Sequence, residues 1–339
     1  MTMCVSKIAV TAGFVLAVGV GGATSQSDTP TLSVYTYDSF AGDYGPGGTV
    51  KERFEAVCDC VLDWVATDDA GTLLARLKLE GDTTGADVVL GLDTNLMAEA
   101  ADSGLFAAHN IDVSNLDLPI DWTDDTFVPF DWGWFSFVYD SSRLAEPPKS
   151  FAELIEAEDG PSLIIEDPRT ASPGLGLLLW VREVYGERAG EVWTKLKPRI
   201  VTVTRGWSEA YGLFLEGEAD MVLSYTTSPA YHISVEDETR YKAAIFEEGH
   251  AMQVEVGGIV ASSDNRELAQ QFLEFMVSDA FQSAIPEGNW MYPARLPESG
   301  LPDAFADLGT PPHSFLTPPE TVKSERRKLI DEWLSAMSQ

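Results

Sequence analysis

Residues 126–140, TFVPFDWGWFSFVYD, restrict the fold more than any other segment. Apolar and aromatic side chains run through it almost unbroken and without a helical period, so it reads as one long extended strand. A strand of that length exceeds what a small sheet uses, and it is expected to pass from one lobe into another. Strands and helices alternate on both sides of it. Before it, strand patterns at residues 32–37, 60–65 and 86–92 alternate with helical patterns at 50–57, 72–79 and 95–101. After it come strands at 163–166, 200–204 and 221–225, with helices at 174–185 and 207–215. A second extended run, 253–261, precedes a helix at 266–277 whose apolar residues have helical spacing. Repeated βα units predict mainly parallel sheets. The expected class is therefore α/β, with two lobes hinged by two extended crossover segments. Residues 32–127 and 255–300 form lobe 1, and residues 128–254 form lobe 2. Residues 301–339 hold a Pro- and Gly-rich loop and an amphipathic helix at 324–338, with no lobe assignment.

The first 25 residues stand apart from that rhythm. Lys7, an apolar run from Ile8 to Val20 and the small residues Ala23-Thr24-Ser25 make a secretory signal peptide, with an uncleaved anchor as the lesser alternative. Cys4 precedes the apolar run, where it is not placed for lipid attachment. Cleavage near Ser25 leaves Cys58 and Cys60, which an oxidising compartment can join. A single intervening residue strains such a bond, so two buried free thiols stay open as the alternative. The formal net charge of −32 makes nucleic acid and anionic membrane surfaces poor partners. It suits a cationic ligand, although acid spread over a surface also simply keeps a protein soluble.

Ligands in open α/β sheets sit beyond the carboxyl ends of strands. Those positions here are Tyr37-Asp38, Asp69, Asp93, Asp167, residues 205–207 and residues 225–228. Gly206-Trp207-Ser208-Glu209-Ala210 approaches the G-x-S-x-G turn of a hydrolase nucleophile. Ala210 stands where that turn wants glycine, and no acid–histidine signature selects His232 or His250 as a base. Ser208 reads better as a first-turn helix residue, with a serine hydrolase kept as a rival. No phosphate loop or complete dinucleotide fingerprint is present. Glu247, Glu248 and His250 in FEEGH lack the helical spacing of a metal site. The aromatic residues carry more. Tyr37, Tyr44, Trp207, Tyr225, Tyr231 and Trp290 fall at strand ends or in loops, where rings suit a flat or cationic ligand. Asp38, Asp69 and Asp167 offer carboxylates to a cation, and equally offer N-caps to following helices. Thr170, Ser172 and the helix start after Pro173, together with Gly206 and Trp207, offer hydroxyl and N–H groups to an anionic or hydroxyl tail.

Seven blocks bring these residues into one pattern: LSVYTYDSF, ADVVLGLD, TFVPFDWGWFSFVYD, EDPRTASPGLGLLLWVREVYG, VTVTRGWSEAYGLF, VLSYTTSPAYH and AIPEGNWMYP. Together, from about residue 32 to 293, they resemble the thiamine-binding periplasmic proteins of ABC importers. The resemblance implies a type II two-lobe periplasmic solute-binding fold with no catalysis and no cofactor. It implies a monomer in the periplasm that takes thiamine or its phosphate esters into the interlobe cleft and hands it to a membrane permease. It further implies that Tyr231 and Trp290 enclose the ligand's two rings, with Tyr37 nearby, and that Trp207 borders the site. Asp69-Ala70, Ser172 and Tyr225 complete the implied set. The chain departs from the family at Ala70, where glycine is frequent, at Ala171, where serine is frequent, and at Tyr44, where tryptophan is frequent. The rival cargo for the same architecture is another cation, a polyamine or a metal ion.

Overall fold

The computed structural model describes residues 29–338, and the expected signal peptide at residues 1–25 lies outside them. The first unit runs β1 (Thr31–Tyr37), α1 (Asp38–Ala41), α2 (Gly47–Cys58), β2 (Val61–Thr67), α3 (Ala70–Glu80), β3 (Val88–Asp93), α4 (Met97–Asp102) and β4 (Phe106–Ala107). The long strand β5 (Phe127–Asp140) leads into the second unit. That unit contains α5 (Phe151–Glu156), β6 (Leu163–Glu166), α6 (Ser172–Tyr185), α7 (Ala189–Leu196), β7 (Ile200–Thr204), α8 (Trp207–Leu215), β8 (Met221–Tyr225), α9 (Pro229–Val235) and β9 (Tyr241–Ala243). Strand β10 (His250–Val260) returns, followed by α10 (Arg266–Met276), α11 (Asp279–Gln282), β11 (Tyr292–Pro293), β12 (Ser314–Phe315) and α12 (Pro319–Ser338).

The strand order is β2-β1-β3-β10-β5-β8-β6-β7. The outer strands of each unit are parallel: β1 pairs β2 and β3, and β6 pairs β7 and β8. The two crossing strands are antiparallel to each other and to β3 and β8, although the start of β10 also pairs the short β12 in parallel. β10 pairs β3, and pairs β5 from Gly258↔Phe127 to Met252↔Trp134. β5 then continues into the second sheet, pairing β8 from Phe135↔Tyr225 to Tyr139↔Met221. The sheets are thus more mixed than the βα rhythm predicts. A strand that leaves one lobe for the other is not returned beside its predecessor by a crossover helix, so it need not run parallel. The register of β10 shifts at residues 255–257, where an irregularity bends the strand between the units.

One apolar core lies where α2, α10 and α11 cover the first sheet, with Phe40, Phe54, Phe272 and Phe281 fully buried. The largest core runs from Leu73, Leu77 and Val89 of the first unit to Phe137, Trp180 and Trp193 of the second. Helix α12 closes it with Leu329, Trp333 and Ala336. That helix packs on α6 and α7 of the second unit and on α4 of the first, joined to α4 by Lys323–Asp102 (2.8 Å) and Arg326–Glu99 (2.7 Å). The residues that carried no lobe assignment therefore strap both units. The helix starts earlier than its apolar spacing suggests, because Pro319 suits a first turn. Cys58 and Cys60 are bonded, with Cα atoms 5.1 Å apart. Asp59 between them takes a left-handed φ of 51°. No helix among the described residues is long and apolar enough to cross a membrane.

Candidate ligand-binding cleft

A cavity of about 320 Å³ opens between the two units. Tyr37 enters it from the end of β1, Trp207 and Ser208 from the first turn of α8, Tyr225 from the end of β8, and Tyr231 from α9. Trp290 follows the turn at residues 285–289, with its N–H donating to Ile285 O at 3.0 Å and a left-handed φ of 55°. A tryptophan held in that conformation is locally strained, and such strain persists where surrounding structure needs the side chain's direction. The Tyr231 and Trp290 rings meet edge to face, with centroids 5.6 Å apart at 80°. They form a corner of the cavity. Such a corner offers a flat ligand one ring face and one ring edge.

Asp69 joins three helix N-termini. Its Oδ1 accepts the Ala70 N–H of α3 at 2.8 Å and the Ser172 N–H of α6 at 3.0 Å, and Oδ2 accepts the Trp207 N–H of α8 at 3.2 Å. The last two helices belong to the opposite unit, so one carboxylate satisfies orphan donors on both sides of the cleft. Burial pushes this carboxyl up to about 7, against the pull of the Ser172, Ala70 and Trp207 N–H groups. Ser208 Oγ donates to Asp38 Oδ1 at 2.7 Å, Thr72 N–H donates to Thr170 O at 3.2 Å, and Arg205 pairs with Asp68 at 2.8 Å. The units are closed on each other. Gly71 and Gly206 permit the approach: a Cβ on either would stand 2.7 Å from the opposite backbone, at Thr170 and Asp68 respectively.

The cavity wall contains Tyr37, Asp69, Trp207, Tyr225, Tyr231 and Trp290. It does not contain Ala70, which is buried in the first turn of α3, or Ser172. The Ser172 hydroxyl points to Asp93 Oδ2, 2.5 Å away, and its N–H is taken by Asp69. The wall also holds Ser228, from the strand-end stretch 225–228, and Glu255, Asn289 and Met291, which were not named as site residues from the sequence. For Glu255 a signal was available, a charged residue inside the extended apolar run of β10, since a buried charge needs a reason.

The other chemistries fare differently. Ser208 Oγ donates to a carboxylate, while both candidate histidines are engaged elsewhere. His232 bonds Tyr211 and Glu236, at 2.9 and 2.7 Å. His250 donates from Nδ1 to Phe135 O and accepts Phe246 N–H at Nε2, and burial lowers it to about 4. Among the described residues no group of three His, Cys, Asp or Glu side chains is placed to hold a metal ion.

The sequence matches the family Bacterial extracellular solute-binding protein over residues 49–283. The chain belongs to that family. Within it, this solute-binding protein is 54% identical over 309 residues to the Thiamine-binding periplasmic protein of Escherichia coli (strain K12), covering 91% of this chain and 94% of the relative. The protein of the same name from Brucella suis biovar 1 (strain 1330) is 51% identical over 319 residues, covering 94% of this chain and 96% of the relative. A solved Periplasmic thiamin binding protein superposes on this solute-binding protein with a TM-score of 0.90 at 53% identity, over 92% of this chain and 97% of the other. Iron-bound HitA from Pseudomonas aeruginosa shares the fold alone, with a TM-score of 0.74 at 20% identity over 91% of this chain and 99% of that one.

Proposed function

We propose that this chain binds thiamine in the cleft and delivers it to the membrane permease of an ABC importer, acting in the periplasm as a monomer without catalysis. One observation carries the reading: aromatic rings and the buried carboxyls of Asp69 and Glu255 face one small cavity, and the groups that shift these two carboxyls include no Lys, Arg or His. A flat permanent cation fits both features, by stacking on Trp290 and by charge. A spermidine-like chain uses the charge and leaves the ring faces unused. The relatives at 51–54% identity support thiamine over other cations. Lobe 1 is read as residues 32–127 with 255–300, and lobe 2 as 128–254, closing about β5 and β10.

Isothermal calorimetry of thiamine on the mature chain tests the reading, with spermidine as competitor. Binding at micromolar protein that spermidine fails to displace supports it, and absence of heat with thiamine refutes it. Thiamine mono- and diphosphate belong in the same titration. A phosphate that takes the Ser172 and Trp207 N–H groups displaces Asp69 from them, a cost that unesterified thiamine is expected to avoid.

A further inference from the structure

Beneath the aromatic corner lies a carboxyl pair. Asp131 on β5 and Glu255 on β10 are direct cross-strand partners, which puts both side chains on one face of the ladder. Asp131 is fully buried, and Glu255, 5% exposed, reaches the cavity. Asn289 Nδ2 donates to Asp131 Oδ2 at 2.6 Å and to Glu255 Oε2 at 3.5 Å. Tyr37 donates its hydroxyl to Glu255 Oε2 at 2.7 Å. Gln253 Nε2 donates to Glu255 Oε1 at 3.2 Å and to the Tyr225 hydroxyl oxygen at 2.9 Å. Asp131 Oδ1 is buried with no partner.

The titratable groups facing the pair from other elements are phenols and acids. β1 contributes Tyr37, β8 contributes Tyr225, and β3 contributes Asp93, whose oxygens accept from Ser172, Asn95 and Leu96. Asp69 stands across the cavity. Two adjacent buried carboxyls with no cation beside them do not both ionise, and Asp131 Oδ1, which accepts no hydrogen bond, has no donor to stabilise a charge on it. Burial pushes both carboxyls up, and the neighbouring Asp131 charge raises Glu255 further, while the contacts with Asn289 and Glu255 hold Asp131 back.

We propose that the Asp131–Glu255 pair is a proton-for-cation exchange site: it holds one proton in the empty cleft and releases it to solvent when a cationic ligand settles against Glu255. The charges balance. A singly protonated pair of charge −1 and a ligand of charge +1 become a doubly ionised pair holding that ligand, and one H⁺ passes to the buffer. One O–H bond breaks and no other bond changes. This deepens the thiamine reading and rests on it, because the ligand must bring a permanent positive charge. Affinity then falls as pH falls, approaching tenfold per pH unit below the free pair's titration.

The test is thiamine calorimetry in paired buffers of different ionisation enthalpy, between about pH 5.5 and pH 8.5, which counts protons released per ligand. The wild-type protein is expected to release close to one proton at the acidic end of that range, and less as pH rises. Asp131→Asn removes the neighbouring charge that helps hold the proton on Glu255, and its release is expected to fall below the wild-type count. Glu255→Gln is expected to lose both the release and about tenfold or more in affinity. Asp69→Asn is expected to keep the release whatever its affinity, which separates the pair from the other carboxyl in the cleft. Wild-type binding with no proton released, or release abolished by Asp69→Asn and kept by Asp131→Asn, overturns the exchange and leaves thiamine binding standing. Absence of binding by the wild-type protein overturns the ligand reading itself. Should Asp131→Asn fail to fold, the wild-type and Asp69→Asn proton counts decide alone.

Discussion

At the scale of the residue, Trp290 shows how one side chain is kept in place by structure on every side. Its φ of 55° disfavours a non-glycine residue, and its ring closes the corner with Tyr231. Stacking and cation–π attraction at a partly desolvated ring contribute about 1–2 kcal/mol. Trp290→Ala is therefore expected to weaken thiamine binding by about fivefold to thirtyfold, with little effect on folding because the ring is half-buried at the cavity. Calorimetry checks this, and unchanged affinity removes Trp290 from the site. The Cys58–Cys60 bond closes a very short loop, so its effect on chain entropy is small, no more than about 1.5 kcal/mol. Reduction is expected to lower Tm by a few degrees at most, read in melts with and without reductant.

At the scale of the element, the cleft is a meeting of helix starts. α3, α6 and α8 all point their N-termini at the Asp69 carboxylate, and each has backbone donors that its own turns cannot satisfy. Asp69→Ala strips the carboxyl acceptor from three N–H groups and leaves two of them facing a gap between the units. The closed form is expected to lose about 2 kcal/mol or more, hence at least about thirtyfold in thiamine affinity. Small-angle scattering with saturating thiamine and calorimetry give independent readouts, and wild-type values in both contradict the role. Helix α12 acts at the other side of the fold, where its buried Trp333 and its ion pairs to α4 tie the two units together.

At the scale of the whole molecule, the buried acids set the response to pH. The folded protein holds Asp69 up at about 7, and burial raises Glu166, Asp131 and Glu255 as well. A carboxyl raised in the folded state binds more protons than in the unfolded chain, so its stability contribution is lost as pH rises through the folded value. Burial lowers His109, His232 and His250, and they act in the opposite sense, but only below the ordinary histidine value near 6.5. Between about pH 6.5 and pH 8.5 the acids act alone, and Tm of the ligand-free protein is expected to fall. Glu166, with neither carboxyl oxygen bonded, supplies the control: Glu166→Gln is expected to flatten the decline. Calorimetric melts across that range check both, and a Tm that rises with pH sinks the account.

Local periodicity and composition determined the two βα series, the long crossing at β5 and the return at β10, because those signals live within a few residues of one another. The strand ends bearing Tyr37, Asp69, Trp207 and Tyr225 were legible for the same reason. Helix α9, which carries Tyr231, read as loop because seven residues are too few to show a period. Only the tertiary structure decided which of these residues meet. Asp69 finds Ser172 across 103 positions, and Tyr37 finds Glu255 across 218. Whether Ser172 faces the cavity or Asp93, and whether Asp131 stands beside Glu255, depends on strand register and lobe closure. Packing between distant segments sets both, and no spacing along the chain records them.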